Sequence, residues 1–304
     1  MICTITLTPT IDKIIRGKKY DELRFEPEAF SYACGGCGIK VSKYLKKAKI
    51  DSVATYIVSS KRAAFFKELL SKDAISSIAL ETNTITPTHS YYIDENEDVI
   101  VQKEAYQQIS DAQLFMFASV LFEKMENSTT LLSYEDTQIS VETMRHFYQE
   151  IAKNSELLVC DLHPKYYEAC TSRRMDVLLI DKDTFNIYMN NDATPLSECI
   201  KIIHNELTPL SKIIVYAYAP NDFLIFYGGN VYRALSLIKL ANKKIYKEAI
   251  LAAILTCLET DAMFEDMCKQ CIMSSIGSNL SDGLCVTSAL TKEKLKKSIH
   301  IYSI

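Results

Sequence analysis

The chain has 304 residues, 48% of them hydrophobic and 24% charged, a soluble globular composition that excludes disordered, collagenous and membrane classes. Its 34 Lys plus Arg against 38 Asp plus Glu give a net charge of −4, which excludes a global positive field for nucleic acid or an anionic membrane. The longest apolar stretches, 114–122 and 249–258, are shorter than the ~18 residues of a bilayer span and no basic-then-apolar leader opens the chain, so a cytoplasmic protein is expected.

Residues 2–7 are β-branched or apolar and end at Thr8-Pro9-Thr10, which predicts a buried first strand. Strand-like runs follow at 11–18 and 24–32. The chain holds only eight glycines where ~21 are average, yet Gly35, Gly36 and Gly38 fall within four residues. They open a helical pattern, Ile39, Val41, Tyr44 and Leu45, that closes on Lys46, Lys47 and Lys49. A strand is expected at 52–58, and 88–93 with 99–102, joined by the acidic turn 94–98, reads as an antiparallel hairpin. Strands at 130–133, 157–161, 177–180 and 212–217 alternate with helices at 111–126, 141–153 and 195–207. That rhythm means β-α-β units and a largely parallel sheet covered on both faces. The pieces within about 11–33 and 86–104 stand outside it and are expected to form a small second sheet, a lid. After Tyr232 the chain is expected to be mostly helical, with helices at 246–258 and 261–274. One domain over residues 1–304 is expected, without repeats or linkers.

Ten cysteines without a secretion signal argue for free, mostly buried thiols. Cys34 with Cys37 and Cys268 with Cys271 have Cys-x-x-Cys spacing, but more than 200 residues separate the pairs, against ~15–20 in a zinc ribbon. Cys268 and Cys271 are therefore read as helix packing. For Cys34 and Cys37 a redox role is kept, since a thiolate at a helix N-terminus has a lowered pKa. Lys292, Lys294, Lys296 and Lys297 read as a solvated helix face, and the five histidines are too scattered for a triad or metal site.

The run Ile5-Thr6-Leu7-Thr8-Pro9-Thr10-Ile11-Asp12, then Gly35-Gly36-Cys37-Gly38-Ile39-Lys40-Val41 and Tyr44-Leu45, resembles the PfkB carbohydrate kinases. It is most similar to their phosphosugar branch, 1-phosphofructokinase and tagatose-6-phosphate kinase. The resemblance implies a ribokinase-like α/β three-layer sandwich with a mostly parallel central sheet and a β-sheet lid. It also implies sugar beneath the lid, ATP with Mg2+ at the C-terminal edge of the sheet, and a homodimer through the lid. Asp12 matches the aspartate that binds sugar hydroxyls, and Gly35, Gly36 and Gly38 match the loop on whose amides a ligand rests.

Other positions depart from the pattern. The loop lysine of the family is Cys37 here, and its asparagine is Lys40, which restores a cation three residues on. The lid arginine aligns with Thr88, beside His89. The Gly-Ala-Gly-Asp motif falls on Ile245-Tyr246-Lys247-Glu248, so Glu248 stands at the position of the base and Lys247 beside it as a phosphate-side cation. Bulky side chains there obstruct what would otherwise be the largest electrostatic contribution to phosphoryl transfer. The magnesium element corresponds to Asp183-Thr184-Phe185-Asn186, with Asp183 facing the hydrated ion. The nucleotide glycines are lost from Tyr216-Ala217-Tyr218-Ala219-Pro220-Asn221. Two functions are therefore expected to compete: an ATP-dependent phosphosugar kinase acting on a hexose phosphate, and a non-catalytic sugar-phosphate-binding sensor or assembly protein. Coordinated loss at four motifs favours weakened or absent catalysis.

Overall fold

The computed structural model describes all residues except 21–23, 97–98, 106–107, 126, 193, 241–243 and 281–294, so Lys292, Lys294 and Asn242 lie outside the described residues. Parallel strands β1 (Ile2–Thr6), β4 (Ser52–Ser59), β5 (Ser76–Thr82), β8 (Ser128–Tyr134), β9 (Ser155–Leu162), β10 (Met175–Asp181) and β11 (Ser211–Ala219) form the body of the main sheet. Antiparallel β12 (Asp222–Tyr227), β13 (Asn230–Ser236) and β14 (Ile299–Ser303) extend it to ten strands, in the order β14-β13-β12-β11-β10-β9-β8-β1-β4-β5. β1, β8 and β10 are buried at every residue, as strands covered on both faces must be.

Alternation along each strand feeds two cores. On one face Ile5, Leu132, Leu158 and Leu178 pack against α3 (Asp111–Met125), α4 (Val141–Asn154), α5 (Lys182–Met189) and α6 (Leu196–Ile202), which contribute Phe117, Phe147, Phe185 and Cys199. On the other, Ile2, Leu131, Val159 and Val177 meet Val41 and Leu45 of α1 (Cys37–Lys47), Ile250 and Ile254 of α7 (Lys247–Glu259) and Ile272 of α8 (Phe264–Leu280). Cys268 and Cys271 belong to this second core, in keeping with their reading as packing residues. A third cluster seats α2 (Ala63–Lys72) through Phe66. Among the described residues no helix is long and apolar enough to cross a membrane.

The expected lid is present as a four-stranded sheet ordered β3-β2-β6-β7, comprising β2 (Thr10–Lys19), β3 (Phe25–Gly35), β6 (Thr88–Ile93) and β7 (Val99–Lys103). β2 pairs antiparallel with β3 and parallel with β6, so the hairpin β6–β7 is added to the side of the first lid pair.

The chain after Tyr232 is less helical than its pattern predicts. β13 continues to Ser236 and β14 returns to pair with it, because β12 brings an apolar run, Phe223 to Phe226, that is buried on both faces and needs a partner strand. The signal for this hairpin was Gly228-Gly229, whose φ values of 59° and 80° make the two-residue turn that matches strand twist.

The scarcity of glycine has a local consequence. Lys49, Ala74, Asn127, Asn190 and Asp261 all adopt positive φ, several of them just past a helix end where glycine is usual. Ala74 (φ 53°) is exposed and contributes no core contact. Relief of its Cβ strain exceeds the added entropy of the unfolded chain, so Ala74→Gly is expected to gain up to about 1 kcal/mol, read as a higher urea midpoint at unchanged slope.

Candidate functional site

β1 lies between β4 and β8, and the chain leaves it in opposite directions on the two sides. In open α/β sheets this switch point leaves a crevice at the carboxyl ends of the strands. Here a cleft of about 530 Å³ opens there, roofed by the lid through His89, Tyr91 and Lys103 and floored by Thr6, Gly36 and Glu248.

Lys40 lines this cleft and reaches Asp12. Asp12, on β2, is 6% exposed and accepts from the Thr10 hydroxyl at 2.6 Å through Oδ1. The Lys40 ammonium stands 3.8 Å from Asp12 Oδ2 and 3.8 Å from Glu248 Oε1. Burial works against the Lys40 charge, but Glu248 and Asp12 overcome it, holding the ammonium above its ordinary pKa. The expected sugar anchor and the residue at the expected base position are thus bridged by one cation.

The glycine cluster has two separate causes. Gly36 caps α1 at φ 104° and lines the cleft. Gly35 and Gly38 serve packing: a Cβ on Gly35 would lie 2.4 Å from Asp12 Oδ1, and one on Gly38 would lie 2.9 Å from the carbonyl oxygen of Ile5. Of the three residues expected to cradle a ligand, Gly36 is the one that lines the cleft. Gly35 acts through Asp12 by leaving room for its carboxylate.

The largest departure from the sequence reading lies at the head of α7. The Lys247 ammonium pairs with Glu135 and stands 3.3 Å from Asp161 Oδ1 and 3.7 Å from Asp181 Oδ2. Burial opposes the charge, yet Asp161, Glu135 and Asp181 together hold Lys247 well above an ordinary lysine. Asp161 is 1% exposed, and its carboxyl is pushed up to about 6, first by burial and then by Glu135 and Asp181, against the pull of Lys247. Ser133 donates to its Oδ2 at 3.0 Å. Motif spacing did not single out these three carboxylates. Their signal was positional: each closes or follows an apolar strand, Glu135 after β8, Asp161 within the end of β9 and Asp181 at the end of β10.

The expected lowered pKa at Cys37 is reversed. Its thiol sits at the N-terminus of α1, but burial and the neighbouring carboxylates of Asp161 and Glu248 raise it well above an ordinary thiol. It donates to Asp161 Oδ2 at 3.8 Å. Burial likewise pushes Cys34 up to about 12, and both are free thiols. A thiol that holds its proton is a poor nucleophile, so the redox reading loses its physical basis.

Asp183 is exposed on the first turn of α5, at the rim of a second cleft of about 900 Å³ with apolar walls from Leu235, Leu237 and Ile238. Asp181, two residues earlier, is the carboxylate turned toward α7, where it also caps α5 by accepting from the Thr184 amide at 2.8 Å. The residues present fit a magnesium ion poorly. Glu135, Asp161 and Asp181 converge on an ammonium already in place, and among the described residues no three His, Cys, Asp or Glu side chains are arranged to hold a metal.

Solved structures resemble the chain over almost its whole length. A possible 1-phosphofructokinase of Thermotoga maritima superposes with a TM-score of 0.85 at 17% identity, covering 100% of this chain and 99% of its own. Escherichia coli phosphofructokinase-2, solved with potassium, gives 0.85 at 15% identity over 97% and 98%. The chain has the ribokinase-like fold. The same Escherichia coli enzyme in complex with fructose-6-phosphate gives a TM-score of 0.81 at 14% identity, over 97% and 98% of the two chains. No protein-family model matches the sequence, and neither does any curated protein. The ribokinase-like frame agrees with the sandwich and lid implied by the resemblance at Asp12 and Gly35 to Gly38.

Proposed function

We propose that the protein is a PfkB-like phosphosugar-kinase homologue, one domain over residues 1–304, that binds a sugar or sugar phosphate beneath its lid and in which phosphoryl transfer is weakened or lost. One observation carries this reading: the Lys247 ammonium and its three carboxylates occupy the head of α7. Phosphoryl transfer asks the protein mainly to position the reactants and stabilise migrating negative charge. One cation shared among three carboxylates leaves that place net negative. Glu248, at the position of the base, is engaged by Lys40. In this reading the cleft serves a sensor or assembly protein, and ATP with Mg2+ is required only if transfer persists.

Thermal unfolding with Mg-ATP, with sugars and with sugar phosphates tests the proposal. A ligand of the folded state raises stability by ~2.7 kcal/mol at a hundredfold excess over Kd. A shift with a sugar or its phosphate is expected, with none from Mg-ATP at millimolar concentration. Turnover is expected at least a thousandfold below the about 1–100 s⁻¹ of typical kinases. A clear Mg-ATP shift accompanied by turnover would restore the kinase reading, favoured otherwise by the size of the second cleft.

Exposed Phe30 and Tyr32 on β3 and Val99, Ile100 and Val101 on β7 lie on the two edge strands of the lid, which supports a homodimer formed there. A monomeric mass by light scattering at micromolar concentration would refute it.

A further inference from the structure

We infer that the molecule bound beneath the lid is an uncharged polyhydroxylated one, a free sugar or polyol, and that its phosphate ester is disfavoured. The inference rests on the sugar-binding reading above and narrows its ligand class.

A phosphate dianion is held by cations whose charge is not already spent and by donors aimed at its oxygens. The cleft offers few of the first. Lys40 is shared between Asp12 and Glu248 at 3.8 Å each. Lys247, deeper, is shared among Glu135, Asp161 and Asp181. Cys37 stands where the resemblance places a loop lysine, and its protonated thiol is turned to Asp161. His89, directly opposite Asp12 in the lid register, is held below an ordinary histidine by burial, with Asp12 opposing, which works against a positive charge there. Arg62 donates to Thr88 Oγ1 at 2.5 Å and opens into a separate pocket of about 380 Å³. Lys103 remains, on the exposed strand β7, where solvent screens it. Counting Asp12 and Lys247, which pair with residues of the wall, three ammoniums, Lys40, Lys103 and Lys247, face four carboxylates, Asp12, Glu135, Asp136 and Glu248, and Lys247 is shared further with Asp161 and Asp181.

The same wall is well supplied for hydroxyl groups. A carboxylate accepts two neighbouring hydroxyl protons, and Glu248 presents one on this wall, with Asp12 behind it paired to Lys40. Thr8 and Tyr91 add hydroxyls that donate or accept without imposing a charge. Adding a phosphate to such a ligand adds repulsion from the surplus carboxylates and desolvation of the dianion without a matching cation.

The test is calorimetric titration of the full chain, without nucleotide. The probes are aldohexoses, ketohexoses, pentoses and their polyols, each beside its monophosphate ester, at low and at moderate salt. At least one uncharged probe is expected to bind at least tenfold tighter than its ester, with an affinity that changes less than twofold with salt. Asp136→Asn, which removes one negative charge from the cleft wall, is expected to strengthen any residual ester binding several-fold and so to narrow the gap between the ester and the uncharged probe. An ester that binds as tightly as its parent sugar, or tighter, overturns the inference and leaves the sugar-binding reading standing. Binding of neither class overturns both.

Discussion

Lys247→Met is expected to lose about 3–5 kcal/mol of folding stability at pH 7, because removing one partner of a buried ion cluster strands the others. The pairing with Glu135, whose side chain is 58% exposed, contributes little of this. The loss rests on Asp161 and Asp181, whose side chains are 1% and 11% exposed and whose nearest cation would be gone. Without the ammonium these carboxylates are easier to protonate, so the deficit is expected to shrink at pH 5. Lys247→Arg keeps the charge and is expected to retain most of the stability. Urea unfolding of the three proteins at pH 5 and pH 7 measures this. An equal loss at both pH values would assign the effect to altered packing around the side chain and not to charge.

Asp161→Asn is expected to remove a pH dependence that runs against the usual direction for an aspartate. Burial, with Glu135 and Asp181, pushes the Asp161 carboxyl up to about 6 in the folded protein against about 3.9 for an unfolded aspartate, so the folded state binds the proton more tightly. Stability from this group is therefore fully present below about pH 4, falls as pH rises toward 6, and is level above that. The change is on the order of 2–3 kcal/mol. Asparagine neither charges nor titrates, so the variant is expected to lack this slope and to be at least as stable as the parent at pH 7. Urea midpoints at pH 4.5, 6 and 7.5 give the comparison, and parallel curves for the two proteins would refute it. Because Lys247 and Asp161 share one cluster, the double variant is expected to lose less than the sum of the two single changes.

The two predictions concern a cluster whose cation, Lys247, was legible in the sequence and whose carboxylates were not. Asp12 and the Gly35 to Gly38 loop were legible as a pattern, and β2 with β3 brings them into contact along one lid pair. Glu248, Lys247 and Lys40 were legible as substitutions in motifs, but the carboxylates that surround Lys247 were not. Cys37 was read from its place on a helix, and the carboxylates that reverse its pKa come from β9 and from α7.

Local residue patterns specify the alternation of strands with helices, the lid strands outside that rhythm, the buried helix after Tyr246 and the glycine loop ahead of α1. Each of these is a property of consecutive residues, because periods of 2 and 3.6 and the demands of a tight turn are written locally. The tertiary structure alone decided that Glu135 and Asp161, which stand 112 and 86 residues from Lys247, converge on its ammonium. That outcome depends on β8, β9 and β10 lying side by side with their carboxyl ends at the head of α7. Strand order in a sheet is set by how whole faces are buried, and pairwise charge contacts follow from it.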